Sequence, residues 1–304
     1  MANQTNRQGL TVVITGTSSG IGRGTAQQLA AQGANVVLAA RRTNVIEEIA
    51  QAYGPNVIAV TTDISKEKDV ANLCETAIST FGKIDVWINN AGVGTYGSFT
   101  ETPLADLVRT VEINMLGTIY GTHYALRHFK EQKSGTLINI ASFASQAAVP
   151  FGAVYTGTKA AVSGLSKGLY QEMEVDDFED IHVCVVDPWV TDTPWTYHAG
   201  NYSGHEILVG PADDPQKVID AIIGLVDKPK EQAEIGAKVT GTAFIGNIVP
   251  GTTDKSTGKA LHKMLMDAPP APTTSGSLHE SHPVGTGVSG DLRERLARKK
   301  ISDQ

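Results

Sequence analysis

Tyr155 and Lys159 are four residues apart, so on a helix they share one face. A tyrosine with its ordinary pKa of about 10 is a poor acid or base at neutral pH. A neighbouring ammonium stabilises the phenolate and lowers that value, which lets the phenol give a proton to a carbonyl oxygen or take one from an alcohol. Y-x-x-x-K alone is common by chance; its weight comes from its company. Ser142 lies thirteen residues upstream at the end of a β-branched run, where its hydroxyl can hold a substrate oxygen. Asn114 falls inside a long helical stretch, a locally unfavourable place that suggests a water or backbone role.

A second chemistry is written near the start. Thr15 to Gly22 reads TGTSSGIG, directly after an apolar run and opening a helical one. Pyrophosphate needs close approach to the N–H groups at a helix N-terminus. Gly16, Gly20 and Gly22 remove Cβ atoms along that approach, Ser18 and Ser19 add hydroxyl donors, and Ile21 lies between the last two glycines. The spacing is G-x-x-x-G-x-G, not the common G-x-G-x-x-G. A purely structural turn remains the competing reading.

About 20 residues on, a carboxylate would bind a ribose 2′-hydroxyl and repel a 2′-phosphate. Here the second strand ends in Ala39-Ala40-Arg41-Arg42, and two guanidiniums suit a phosphate, so NADP is expected rather than NAD. Asp63, followed by Ile64, ends the third strand and can accept from an adenine amino group. Asn89-Asn90-Ala91-Gly92 closes the fourth strand, at the edge where open α/β sheets bind ligands.

These residues need a scaffold, and the hydrophobic pattern supplies one. Leu10–Thr15, Asn35–Ala39, Asn56–Val60, Ile84–Asn89, Thr136–Ala141 and Ile181–Val186 read as strands with few internal charges, as expected for strands buried on both faces. Gly22–Gln32, Val45–Tyr53, Lys66–Thr80 (with Ser65 as N-cap), Pro103–Lys130 and Ala153–Phe178 read as helices. Pro215–Val226 and Ala233–Gly236 are weaker candidates for a last helix and strand. The alternation implies an α/β fold: one Rossmann-like, doubly wound parallel sheet with helices on both faces. Thr193–Pro211 has no clear period and reads as a mobile loop or lid.

The expected organisation is a polar N-terminal tail over residues 1–9, a dinucleotide-binding and catalytic domain over 10–265, and a flexible C-terminal extension over 266–304. Pro, Ser, Thr, Gly and His dominate Ala268–Gly290, and Asp291–Lys300 could form a short basic helix.

Composition narrows the classes. The 304 residues are 41% hydrophobic and 19% charged, with a net charge of -7. That acidity argues against nucleic acid as the main partner. Two cysteines, Cys74 and Cys184, make no disulfide framework, and with no signal-like start and no long apolar run the expectation is a cytoplasmic protein without a membrane span. His198 and His205 lack the companions of a metal site, so no metal is expected.

Taken together in this order, TGTSSGIG, the Asp-Ile pair, NNAG, the helix Asn, the Ser, YTGTK and a proline after the sixth strand resemble the short-chain dehydrogenase/reductase superfamily over roughly Leu10 to Ile235. The resemblance implies a tetrad of Asn114, Ser142, Tyr155 and Lys159. Tyr155 would be the acid/base, and Lys159 would contact the nicotinamide ribose and tune it. Asn114 would hold a relay water, and Ser142 would position the substrate. It further implies cofactor contacts from Asn90, Ala91, Gly92, Pro188, Thr191 and Thr193, with Thr193 holding the carboxamide. A homo-oligomer, dimer or tetramer through the long helices, is implied too. One departure is Trp189, where relatives have glycine after the proline; a narrowed pocket or an aromatic wall is expected. The long tail beyond Gly251 is another.

The expected substrate pocket is Phe143, Val149, Phe151, Trp189, Trp195 and Tyr197, whose apolar, aromatic character suits a hydrophobic or aromatic carbonyl or alcohol. The expected function is an NADP-dependent oxidoreductase of the carbonyl reductase or alcohol dehydrogenase kind. The alternative from another class is a catalytically idle NADP-binding regulator on the same fold.

Overall fold

A computed structural model of the chain describes residues 6–236, 259 and 262–302. The strands of its main sheet are β1 (Thr11–Thr15), β2 (Asn35–Ala40), β3 (Val57–Thr61), β4 (Val86–Asn89), β6 (Gly135–Ile140), β7 (Ile181–Pro188) and β9 (Gln232–Ile235). A two-residue pair, β5 (Thr95–Tyr96) and β8 (Gly200–Asn201), stands apart from them. The seven strands are parallel in the order β3-β2-β1-β4-β6-β7-β9. The order reverses between β1 and β4, and the crevice outside the carboxyl ends of those strands is where such sheets take ligands. The expected strands appear within one or two residues of their predicted ends, and β9 joins as the seventh.

Strand alternation builds two cores. Val12 and Ile14 of β1 and Val36 and Leu38 of β2 point to one face, where α1 (Gly20–Ala31), α2 (Thr43–Tyr53) and α8 (Pro215–Asp227) pack. Val13, Val37 and Ala39 point to the other, against α3 (Glu67–Phe81), α5 (Gly117–Gln132) and α6 (Ala153–Val175). In α3 the buried Val70, Leu73, Cys74 and Ala77 follow the i, i+3, i+4, i+7 pattern of a one-sided helix. Glu67 and Asp69 complement the positive end of α3, and Gly82 stops it in a left-handed conformation. Asp214 caps α8, accepting from the Gln216 N–H at 2.8 Å, with Pro215 at the first helical position.

Four local expectations are corrected. Ser65 does not cap α3: its hydroxyl donates to Asp63 Oδ1, two residues back, and the helix starts at Glu67 with Lys66 before it. The stretch expected as one helix from Pro103 to Lys130 is α4 (Leu104–Val111), a π-helical turn over Glu112–Leu116 and then α5. The loop after Thr193 contains a short helix, α7 (Trp195–His198), and β8, with Ala199, Asn201, Ile207 and Leu208 buried. The C-terminal extension does not hang free over its described residues: Ala268, Ser277, Leu278 and Leu292 are buried, and it ends in α9 (Leu292–Ser302). Of the N-terminal tail, residues 1–5 lie outside the described residues, while Arg7 is buried and pairs with Asp227. The domain boundary at 265 follows a stretch, 237–258, that also lies outside them.

Candidate active site

Helix α6 begins after Gly152 at the carboxyl edge of the sheet, which puts Tyr155 in its first turn and Lys159 one turn deeper. Lys159 is 6% exposed. Its Nζ donates to the Ile140 carbonyl at 2.8 Å and lies 5.9 Å from the Tyr155 ring centre. Burial lowers the Lys159 pKa to about 8, with Asp187 pulling the other way. Tyr155 departs from expectation: burial raises its phenol above the ordinary value, and a hydrogen bond with Ser142 only partly offsets this. Dehydration of the phenolate therefore dominates, and the resting group is a protonated phenol.

Ser142 follows β6 and caps the single 3-10 turn Phe143–Ser145, its Oγ accepting from the Ala144 N–H at 3.2 Å. Its own N–H donates to Asp187 Oδ1 at 3.3 Å. Asp187 is fully buried and also accepts from Ser145 Oγ at 2.7 Å and Gln232 Nε2 at 2.8 Å. Sequence reasoning passed over Asp187, although a lone carboxylate ending the apolar run of β7 is a legible signal.

Asn114 sits in the π-helical turn, a local widening that often marks a functional position. Its side chain brackets Val93, accepting from the N–H at 2.9 Å and donating to the carbonyl at 2.8 Å. It also donates to Thr158 Oγ1 at 3.0 Å, which ties α6 to the segment after β4. A Cβ placed on Gly92 would lie 3.4 Å from both Asn114 Oδ1 and Lys159 Nζ. All four tetrad residues thus converge on one edge of the sheet.

The glycine turn is also needed for close packing. A Cβ on Gly16 would meet Ala91 Cα at 2.8 Å, and one on Gly22 would meet Asn90 Nδ2 at 2.3 Å. These two glycines let the turn pack against Asn90 and Ala91. Thr15 Oγ1 accepts from both N–H groups of that segment, and Asn90 Nδ2 donates to the Thr15 carbonyl.

A cavity of about 280 Å³ runs along this edge. Gly16, Ser18, Ser19, Gly20, Ile21, Arg41, Arg42, Asp63, Ile64, Asn90, Ala91 and Gly92 line one part of it. Ser142, Tyr155, Lys159, Pro188, Thr191 and Thr193 line another. A dinucleotide fits this donor set: a glycine turn at a helix N-terminus, two cations at one end, and a phenol with a hydroxyl at the other. Asp63 is engaged by the chain itself. Burial disfavours its charge, but hydrogen bonds from Ser65 and Arg109 hold it below the usual carboxylate range, and Arg109 pairs with it at 2.9 Å.

Four of the six expected pocket residues line the cavity: Phe143, Val149, Trp189 and Trp195. The Trp195 ring is 5.2 Å from that of Tyr155, and Phe143 packs on Trp189 at 4.5 Å. Trp189 is held by its Nε1 donating to the Pro211 carbonyl at 2.8 Å. Phe151 and Tyr197 are corrected. Phe151 stacks on His262 at 5.1 Å, and Tyr197 faces outward to Asp291 with the Arg295 guanidinium over its ring. The overlooked walls are Tyr96, Ile207, Val209 and His198, together with Ser277, Ser281 and His282 from the C-terminal extension. Burial lowers the His198 pKa to about 4, so that imidazole is neutral at pH 7.

Residues 10–201 match the family model for short chain dehydrogenases. An uncharacterized oxidoreductase of Bacillus subtilis (strain 168), YxnA, is 33% identical over 298 residues, covering 93% of this chain and 82% of its own. An uncharacterized oxidoreductase of Staphylococcus saprophyticus is 35% identical over 226 residues, 73% of this chain and 92% of that one. Among solved structures, 3-ketoacyl-(acyl-carrier-protein) reductase from Brucella melitensis, complexed with NADH, superposes with a TM-score of 0.68 at 29% identity over 76% of this chain and 99% of that one. A short-chain dehydrogenase from Streptomyces avermitilis gives 0.69 at 26%, over 84% and 96%. The fold and its edge site define a nicotinamide-dependent class of oxidoreductase. The chain belongs to the short-chain dehydrogenase family. Among the described residues, no helix is long and apolar enough to cross a membrane.

Proposed function

We infer that this protein is an NADP-dependent carbonyl reductase or alcohol dehydrogenase acting on a hydrophobic or aromatic substrate, with Tyr155 as the general acid/base. One observation carries the reading. The Tyr155 phenol and the Ser142 hydroxyl face the same cavity as Trp195, Phe143 and Val149, and that cavity continues to Arg41 and Arg42. Bound nicotinamide supplies or accepts the hydride. The chain manages the proton. In the reducing direction, the protonated phenol gives its hydrogen to the substrate oxygen while the Ser142 hydroxyl holds that oxygen in place. Lys159, buried beneath, stabilises the phenolate left behind. The aromatic walls exclude water and favour a flat or greasy group beside the reacting carbon.

Arg41 and Arg42 support NADP because no carboxylate ends β2, and among the described residues neither guanidinium has an ion-pair partner. A homo-oligomer belongs to the same reading: Leu104, Val108 and Val111 form an exposed apolar stripe on α4. Light scattering in solution checks it. For function, purified protein is mixed with NADPH and a panel of aromatic and aliphatic ketones while absorbance is followed. Turnover is expected, with Tyr155→Phe slower by about 10²–10⁴-fold. Tight NADPH binding with no turnover of any ketone or alcohol would favour the idle regulator instead.

A further inference from the structure

The described C-terminal segment runs along the whole cofactor groove, and it contacts the rim in register with the parts of a dinucleotide. At the Asp63 end, Arg41 donates to the carbonyls of Ser277, Leu278 and His279, and Arg109 donates to that of Leu278. Beside Ser18, Arg42 donates to the carbonyls of His282, Val284 and Gly285 at 3.2–3.3 Å. Over the glycine turn, Arg23 donates to the Thr286 carbonyl and the Gly20 N–H to that of Gly287, both at 2.8 Å. At the Thr193 end, Asp192 accepts from the N–H groups of Gly290 and Leu292, and its carboxylate pairs with Arg293.

Over residues 277–282 two features make this segment a wall and not a plug, while at the glycine turn the Gly287 carbonyl takes the Gly20 N–H, which a bound pyrophosphate would have to displace. Ser277, Ser281 and His282 line the same cavity as Ser18, Arg42, Asp63 and Ala91, so open space remains beneath them. Carbonyl oxygens also carry no formal charge, so the field of Arg23, Arg41 and Arg42 persists inside the groove. Burial lowers the pKa of both Arg41 and Arg42; nearby Asp63 opposes this for Arg41, while for Arg42 the neighbouring Arg41 and Arg23 add to it. The two arginines differ in what they have left to give. Both terminal nitrogens of Arg41 serve the segment, whereas Arg42 reaches it through Nη1 alone and meets Ser18 with Nε.

We propose that residues 277–290 form a strap that closes over the bound dinucleotide and sets its rate of release, with Arg41 anchoring the strap and Arg42 reading the 2′-phosphate. The division of roles between the arginines rests on the NADP reading; the strap itself does not. Gly285 does not line the cavity, so the strap can be loosened there without replacing a cavity residue. It has φ +75°, and a Cβ there would lie 2.9 Å from Pro194 Cβ and 3.0 Å from His198 Nε2.

The test uses the full chain, with NADPH and NADH as separate probes. Hydrogen–deuterium exchange of the unaltered protein is expected to slow across 277–290 when either dinucleotide binds. In stopped-flow displacement, Gly285→Val is expected to release both dinucleotides about tenfold faster, leaving the NADPH-to-NADH affinity ratio unchanged. Arg42→Ala is expected to collapse that ratio. Unchanged exchange in the unaltered protein, or unchanged release rates in Gly285→Val, overturns the strap. Tighter binding in Gly285→Val overturns it too, since that is the behaviour of a plug. A ratio lost with Arg41→Ala and kept with Arg42→Ala overturns the assignment of the arginines. Equal affinity of the unaltered protein for NADH and NADPH defeats the NADP reading, yet leaves the strap to be judged on NADH release.

Discussion

Replacing Lys159 with methionine is expected to stabilise the protein without cofactor while removing its activity. The ammonium is buried, and its pKa falls from 10.5 to about 8. A tenfold change in an acid constant is worth about 1.4 kcal/mol, so keeping Lys159 charged in the fold at pH 7 costs about 3 kcal/mol. Methionine removes the charge at similar length. It also leaves the Ile140 carbonyl without its donor, a loss of about 1 kcal/mol. The net expectation is a gain of about 2 kcal/mol at pH 7, on an order-of-magnitude scale. The sign with pH follows from proton counts. Between about 8 and 10.5 the unfolded chain still holds the Lys159 proton and the folded one does not, so this group's contribution to stability improves as pH rises. The advantage of the variant therefore shrinks by about 1 kcal/mol between pH 7 and 9. Cys74 and Cys184, whose thiols burial pushes up to about 11, oppose this trend above pH 9, but they do so in both proteins and cancel in the difference. Urea unfolding of both proteins at several pH values reads the effect. If Lys159→Met is less stable at pH 7, or the difference between the proteins grows from pH 7 to 9, then the buried ammonium does not carry this cost.

Other consequences are equally direct. Asp187→Ala leaves the Ser142 N–H, Ser145 Oγ and Gln232 Nε2 without their acceptor, and a loss of about 3 kcal/mol is expected in urea unfolding. A loss under half that size would mean water replaces the carboxylate. Trp195→Ala removes the ring beside Tyr155 and Tyr96, so KM for an aromatic ketone should rise up to about tenfold with kcat little changed. Steady-state kinetics on one aromatic and one aliphatic ketone separates this from a general loss of folding. Both thiols should ignore a disulfide reagent at pH 8 in the native protein and react once urea is added, because the thiolate is disfavoured by burial.

Much of the site is readable in the sequence because its residues act through local geometry. Tyr155 and Lys159 share a face through helical spacing alone, and the glycine turn announces itself between a strand and a helix. Less readable is the protonation state of Tyr155. The spacing suggests a lowered pKa, but burial is a property of everything packed around the phenol, and it moves the group the other way. The pocket walls divide for a similar reason. Phe143 and Val149 follow Ser142 closely and have little freedom to be elsewhere, while Phe151 and Tyr197 find partners in His262, Asp291 and Arg295, far along the chain. Asp187 stands out in the sequence as a lone carboxylate in an apolar strand, but what it does there is hidden, because its three donors come from two other segments.

By itself the sequence determined the parallel α/β sheet, the order of its strands along the chain, the glycine turn between β1 and α1, and the placing of Tyr155 and Lys159 on one helix. Each of these is encoded in periodicity or in a spacing of a few residues, and backbone geometry converts such patterns into position with little ambiguity. Only the tertiary structure decided that Gly16 and Gly22 serve close packing against Asn90 and Ala91, that Asp187 supports Ser142, and that the polar C-terminal segment lies along the groove. That last outcome had no signature in composition. The segment is held by arginines donating to its main-chain carbonyls, and carbonyls are offered equally by every sequence.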